Sequence, residues 1–221
     1  ERGTMAFSVR VNVDRRNTDG ILELLDELAA RGFGGRSNFS VYFAPVEAIT
    51  AGCHAVEEHP MVKTEYARTE TALYREAFAR QLSSLPYPPR FKGVCGAVRP
   101  NGFVVLPTGL VHKCWDTVSI PDKAIGNIID IGIANDSVEA QKWSRWTPFD
   151  NAFCASCKLL PSCAGSCAYK FLYPEDTRGE QASLPCPSWK YDIKEHLAAS
   201  AARTGAIAAG DLAAHALKTQ P

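Results

Sequence analysis

The sequence has no excess of either charge. Its 24 Lys and Arg match 24 Asp and Glu, so the formal net charge is zero. That removes the electrostatic footprint expected of a nucleic-acid partner or of an anionic membrane surface. No apolar run reaches the length of a membrane span. No signal peptide precedes the first strand-like stretch, "ERGTMAFSVRVNVD". A glycine-rich phosphate loop, a His-Glu-x-x-His helix and any internal repeat longer than the cysteine motifs are all lacking, and spacing alone supports no Ser-His-Asp arrangement. Phosphate-loop and zinc-protease chemistry are therefore unsupported. The chain opens on Glu1 rather than Met, which reads as a trimmed chain or a fragment.

What is abundant is cysteine. There are eight in 221 residues, four of them in "CASCKLLPSCAGSC", Cys154 to Cys167. In a small secreted protein, eight cysteines read as disulfides. This chain is long, 46% hydrophobic and 22% charged, as in a globular protein with a core of its own. With no signal, a reducing cytoplasm and metal binding are the better expectation.

Phe7, Val9, Val11 and Val13 alternate with polar residues, which predicts a half-buried strand. In "NTDGILELLDELAARG", Ile21, Leu24, Leu25 and Leu28 make one apolar helix face. Asn17 or Thr18 can cap its start and Gly32 can end it. "NFSVYFAPV" predicts a second strand closed by Pro45. Strand, helix, strand with short links is a βαβ unit and a parallel sheet, whose further strands must come from another segment or chain. From His59 to Leu85 the pattern is helical, with Tyr66, Leu73, Phe78 and Leu82 as buried positions. The prolines of "LPYPPRFKG" mark a linker and a domain boundary at residues 85–92. Beyond it, "NGFVVLPTGLVHKCW" predicts two short strands around a Pro-Thr-Gly turn. Residues 154–186 are cysteine-rich and irregular, and from Trp189 onward the chain is helical and Ala-rich.

Cys154 and Cys157 are spaced C-x2-C, which lets one tight turn aim both sulfurs at a metal centre. Cys163 follows after five residues, Cys167 after three more and Cys186 after a further eighteen. Upstream, thirteen residues separate Cys95 from Gly109, and four separate Gly109 from Cys114. This pattern resembles the SPASM domain of radical S-adenosylmethionine (radical SAM) enzymes. So do "VVLPTGLVHKCWD", similar to the family's cysteine-delivering hairpin, and "IGNI", Ile125 to Ile128. "LPSCAGSC" is similar to the usual Pro-x-Cys-x-Gly-Gly-Cys, with Ser166 in place of the second Gly. "FSVRVNVDRRN", the helix after it and "VYFAP" resemble the last two βα units of the radical SAM partial barrel.

The resemblance implies an α/β chain: the last βα units of a partial TIM barrel over residues 1–88, then an irregular α+β SPASM domain over residues 89–221 with a C-terminal helix. It implies two auxiliary 4Fe-4S clusters, with Cys154, Cys157, Cys163 and Cys186 holding the outer one. Cys95, Cys114 and Cys167 would hold the inner one, which then lacks a fourth ligand. Cys53 is one candidate for that place, although a lone cysteine also reads as a small buried hydrophobe. An open iron site or His112 is the alternative. A turn at Gly165 would send Cys167 away from Cys163, so that one short peptide staples two clusters. Phe43, Ala44, Pro45 and Val46 would lie near S-adenosylmethionine, but equally read as core strand residues and a strand-ending proline. The polar residues Arg10, Asn12 and Asn17 are barrel-interior candidates by fold analogy. Trp115, Asp116 and Asp130 read as a solvated turn or as a base facing substrate. Trp143, Trp146, Phe149 and Phe153 fit a core or a peptide-lined groove.

The radical SAM motif itself, Cys-x3-Cys-x2-Cys, is not found: Cys163-x3-Cys167 is followed by Ala168, Tyr169 and Lys170. The resemblance thus implies the C-terminal portion of a longer enzyme, or a degenerate relative, inactive alone on S-adenosylmethionine. S-adenosylmethionine and a third 4Fe-4S cluster would belong to the upstream barrel segment. The expected partners are a ribosomally made peptide or protein substrate and a reducing donor such as flavodoxin or ferredoxin. Two other readings use the same thiols: a standalone iron–sulfur carrier or partner module, and a structural zinc domain.

Overall fold

The structure, a computed structural model, describes residues 5–50, 59–83, 93–129, 136–174 and 185–205. The fold is mixed α/β. Contacts divide the chain into two compact units: Glu1–Glu47, Val56–Arg90 and Ser188–Pro221 form one, and Ala48–Ala55 with Phe91–Pro187 form the other. The sequence places the C-terminal helix with the cysteine-rich part, whereas residues 188–205 pack with the first unit. The proline-rich linker at 85–92, Cys53 and Asp130 all lie outside the described residues.

In the first unit, β1 (Phe7–Val13) and β2 (Phe39–Pro45) pair in parallel, with Val9 opposite Val41 and Val13 opposite Pro45. The helix α1 (Thr18–Ala30) connects them. Period two in β1 puts Val11 and Val13 in the core and leaves Arg10 and Asn12 exposed, hydrogen-bonded to each other. On α1 the buried face is narrower than its sequence suggests. Ile21 and Leu25, four residues apart, are buried, while Leu24 is exposed. Asn17 precedes the helix but spends its side chain on the turn before it, accepting from the Asp14 N–H and donating to the Asn12 carbonyl.

The next helix, α2 (Lys63–Ala79), buries Tyr66, Leu73 and Tyr74; Phe78 is only half-buried. Gln81 adopts a left-handed conformation (φ 56°), which turns the chain so that the Leu82 carbonyl accepts the Val41 N–H at 2.8 Å. The far edge of β2 is thereby occupied. Among the described residues no strand pairs with the far edge of β1.

The C-terminal helix α7 (Ile193–Arg203) follows a 3-10 turn, Ser188–Asp192, and packs on α2. Polar contacts fix its register: Asp192 accepts from Thr71 (2.7 Å), Glu70 from Ser188 (2.7 Å), and Glu195 from Arg75 (2.5 Å). His196 is fully buried there. Burial depresses its pKa from 6.5 to about 4, Arg75 adds to the depression, and the Ala67 backbone and Glu195 oppose it. Between those pH values the unfolded chain takes up a proton that the folded one refuses. Stability from this group is therefore complete above pH 6.5 and falls as the pH drops toward 4, by up to about 3 kcal/mol. Urea midpoints of wild type and His196→Leu, measured anaerobically from pH 7 to 4.5, should show the steeper decline in wild type; equal slopes would rule out this linkage. No helix among the described residues is long and apolar enough to cross a membrane.

In the second unit, β3 (Val104–Val105), β4 (Leu110–His112) and β5 (Gly126–Asn127) form an antiparallel sheet in that order. The predicted hairpin is its first half. Its turn closes with the Gly109 N–H donating to the Leu106 carbonyl at 2.9 Å. Gly109 has φ +85°, and a Cβ there would lie 2.6 Å from Asn127 Oδ1. The glycine of the hairpin and the Asn of "IGNI" therefore occupy one packing site. The helices that follow are short: α3 (Val138–Arg145), α4 (Ala152–Ala155), α5 (Leu160–Cys163) and α6 (Ala168–Leu172). Trp143, Ala168, Tyr169 and Tyr173 form their core with Ala97.

Candidate metal centre

None of the seven described cysteines forms a disulfide. Three of them, Cys95, Cys114 and Cys167, come from separate segments and pack against the same apolar cluster around Trp143 and Tyr169. Each stands immediately before a helical turn: Cys95 before Gly96–Val98, Cys114 before Trp115–Thr117, and Cys167 before α6. The N–H groups at the start of such a turn have no partner within it and are available to sulfur.

The electrostatics show that these thiols are neighbours. Burial pushes the Cys114 thiol well above the usual range. The Asp116 N–H draws it back, and the Asp116 carboxylate and Cys167 push it up again. Burial also raises Cys167; the Lys170 N–H and ammonium pull it down, and Asp116 and Cys95 push it up. Asp116 Oδ2 lies 3.6 Å from Cys114 Sγ. A thiol in such a place stays protonated unless a cation joins it, and a bound metal deprotonates its thiol ligands outright. Lys170 is 5% exposed, so a cation is already buried beside Cys167. Sequence reasoning missed this lysine, because nothing in "CAYKF" distinguishes it from a surface lysine.

The turn after Cys114 is clamped. Thr117 Oγ1 donates to the Cys114 carbonyl at 2.7 Å, which leaves its oxygen to accept from His112 Nδ1 at 3.2 Å. That places the His112 proton on Nδ1. Nε2 is then a lone pair, fully buried and without a hydrogen-bond partner.

Cys154, Cys157 and Cys163 lie along one continuous path. Asn151 Oδ1 accepts from the Phe153 and Cys154 N–H groups and so starts α4, which carries the buried Cys154. The Cys157 N–H donates to the Cys154 carbonyl (3.0 Å), and the Leu160 N–H to the Cys157 carbonyl (3.0 Å). Cys163 ends α5. Ala164, Gly165 and Ser166 are all left-handed (φ 49°, 84° and 54°), and this reversal separates Cys163 from Cys167. The turn expected at Gly165 is thus three residues long. Cys186 lies half-buried in a bend.

Among the described residues, no three His, Cys, Asp or Glu side chains are gathered closely enough to hold a single metal ion. A 4Fe-4S cluster is a cage with its thiolates at the corners, so its ligands stand farther apart than those of one ion. The donor set fits such a group: all thiols, one set of them packed on a single apolar cluster, with backbone N–H groups and a buried cation beside the sulfurs.

The other candidates are distributed as follows. Phe43 is buried with its ring edge-on to Tyr74 (5.0 Å between centroids), while Ala44, Pro45 and Val46 are half-buried at the end of β2. Asn17 and the exposed pair Arg10 and Asn12 organise the β1 turn. Trp143 is core. Trp146 and Phe149 line a cleft of about 660 Å³ with Val94, Val98 and Leu160, next to the segments that carry Cys95 and Cys163. Phe153 is exposed. No protein-family model matches the chain, and no curated protein matches it significantly in sequence.

Proposed function

We propose that this chain is the C-terminal portion of a radical SAM/SPASM enzyme that modifies a ribosomally made peptide or protein. In this reading β1, α1 and β2 end a partial TIM barrel, and the second unit is the SPASM domain. The observation that carries it is the convergence of Cys95, Cys114 and Cys167, three unbridged cysteines from separate segments, on one apolar cluster. That no strand among the described residues pairs with the far edge of β1 adds support, because a parallel pair needs further strands to be stable.

Cys95, Cys114 and Cys167 would hold the inner cluster, and Cys154, Cys157, Cys163 and Cys186 the outer one. When bound, such clusters supply an acceptor or relay for the electron of a substrate radical, or an iron corner that anchors substrate. The chain's own part is electrostatic and steric. The Asp116 and Lys170 N–H groups donate to the Cys114 and Cys167 sulfurs and set how much charge those sulfurs carry. The apolar cluster around Trp143 covers one side of them. S-adenosylmethionine and the third cluster belong, in this reading, to an upstream barrel segment. A flavodoxin- or ferredoxin-like donor would deliver electrons in the cytoplasm.

Iron and acid-labile sulfide, measured per chain on protein purified without oxygen, test the reading. About eight of each, with broad visible absorption, is the expected result for two 4Fe-4S clusters. A colourless protein carrying zinc in their place would overturn it.

A further inference from the structure

The cleft of about 660 Å³ lies wholly within the second unit. Its size falls in the range of ligand-binding clefts, about 300–1,000 Å³. Val94, Val98, Trp146, Pro148, Phe149 and Leu160 line it, and its walls are the segments that carry Cys95 and Cys163, one thiol from each proposed set. The Trp146 wall is fixed. Its indole packs on Phe171, with 5.8 Å between centroids, and a Cβ on Gly165 would lie 2.6 Å from its Cη2. Phe149 is 72% exposed. A ring of that size left in water at an apolar cleft is surface that an incoming apolar side chain would cover.

Charge decides the kind of partner. The wall segments, residues 93–99 and 145–164, hold three cations, Arg99, Arg145 and Lys158, against one acid, Asp150. The chain as a whole is balanced, so this excess is local. All three cations are exposed, and none enters an ion pair among the described residues. Arg99 is held at the cleft itself: its Nη2 stands 3.0 Å from the position a Gly93 Cβ would take, and Gly93 is part of the lining. An exposed guanidinium beside an apolar cleft attracts a carboxylate, and its planar fork can hold one with two hydrogen bonds.

We infer that the cleft docks an extended segment of the substrate peptide in which an aromatic or large aliphatic side chain adjoins an Asp or Glu. The apolar side chain enters the cleft against Trp146 and Phe149, and the carboxylate meets Arg99. The inference rests on the peptide-modifying reading above and names the class of sequence recognised. A peptide docked there lies against the segments of both Cys95 and Cys163.

The test titrates the acetylated and amidated tetrapeptides Ala-Phe-Glu-Ala, Ala-Phe-Lys-Ala and Ala-Ala-Glu-Ala into the full chain, reconstituted anaerobically with iron and sulfide, and follows heat and Trp fluorescence. The Phe-Glu peptide should bind most tightly, and the other two several-fold more weakly. Arg99→Ala should weaken the Phe-Glu peptide about three- to fivefold, an effect lost at high salt, and leave the Phe-Lys peptide no weaker. Arg99→Glu should invert the preference between Glu and Lys. Phe149→Ala should weaken both Phe peptides about tenfold. Both side chains are exposed, so circular dichroism of the variants should match that of wild type. No saturation by the Phe-Glu peptide at millimolar concentration, equal affinity for the Phe-Glu and Phe-Lys peptides, or variants that bind as wild type does would each overturn the inference. Iron measured on the same sample separates it from the cluster reading. A chain with about eight irons that binds no peptide loses this inference alone. A chain that binds the Phe-Glu peptide through Arg99 and Phe149 but takes up no iron keeps the docking site and loses the two-cluster reading.

Discussion

Cys157→Ala is expected to remove about four of about eight irons per chain and to lower stability by several kcal/mol. The substitution isolates the thiolate. Alanine keeps the N–H that donates to the Cys154 carbonyl and the carbonyl that accepts from Leu160, so the path from α4 to α5 retains its backbone bonds. What disappears is one corner of the proposed outer cluster. That segment has little else to order it: α4 and α5 are four residues each, far below the length at which helices hold themselves. Iron analysis, EPR of the reduced protein and anaerobic thermal unfolding give three independent readings. A variant with full iron content and an unshifted transition would refute the assignment of Cys157 as a ligand.

Gly165→Ala is expected to destabilise the second unit by roughly 2–4 kcal/mol. Two costs act together. At φ +84° an alanine enters a backbone region that L side chains rarely adopt. Its Cβ would also stand 2.6 Å from Trp146 Cη2 and 2.8 Å from Pro148 Cβ, closer than carbon atoms approach. Relief requires shifting the Ala164–Ser166 reversal, and with it the spacing of Cys163 and Cys167. Iron retention should therefore fall along with stability. Ser166→Gly is the internal control. Ser166 is left-handed too (φ 54°), so glycine relieves strain there while loosening the unfolded chain, and the two effects nearly cancel. Denaturant midpoints on all three proteins decide the matter: Gly165→Ala at the wild-type midpoint would mean that the reversal is not under constraint.

Much of the local structure was legible in the residues. Alternation at Val9, Val11 and Val13, helical spacing at Ile21 and Leu25, and Pro45 at a strand end have purely local causes, and β1, α1 and β2 stand where those causes put them. The hairpin around Gly109 and the reversal at Gly165 were legible for the same reason, since each needs a backbone conformation that glycine adopts without cost. Leu24 and Phe78 fell outside the core because periodicity names a face of a helix and not how far the neighbouring elements cover it.

The seven cysteines and their spacing were settled by the sequence alone, and with them the expectation of sulfur-ligated metal, because ligand type and spacing are properties of the chain. The resemblance already grouped Cys95, Cys114 and Cys167, but the surface on which they meet, the carboxylate beside Cys114 and the cation buried beside Cys167 were decided only by the tertiary structure. Cys95, Cys114 and Cys167 are distant along the chain, and they meet because the turns that carry them pack on the same Trp143 and Tyr169 surface. Asp116 and Lys170 acquire their roles from burial and proximity, two quantities that no single position in a sequence contains. The C-terminal helix joined the first unit on the same ground. His196 and Asp192 find their partners on α2, and long-range contacts of that kind form after folding has brought the segments together.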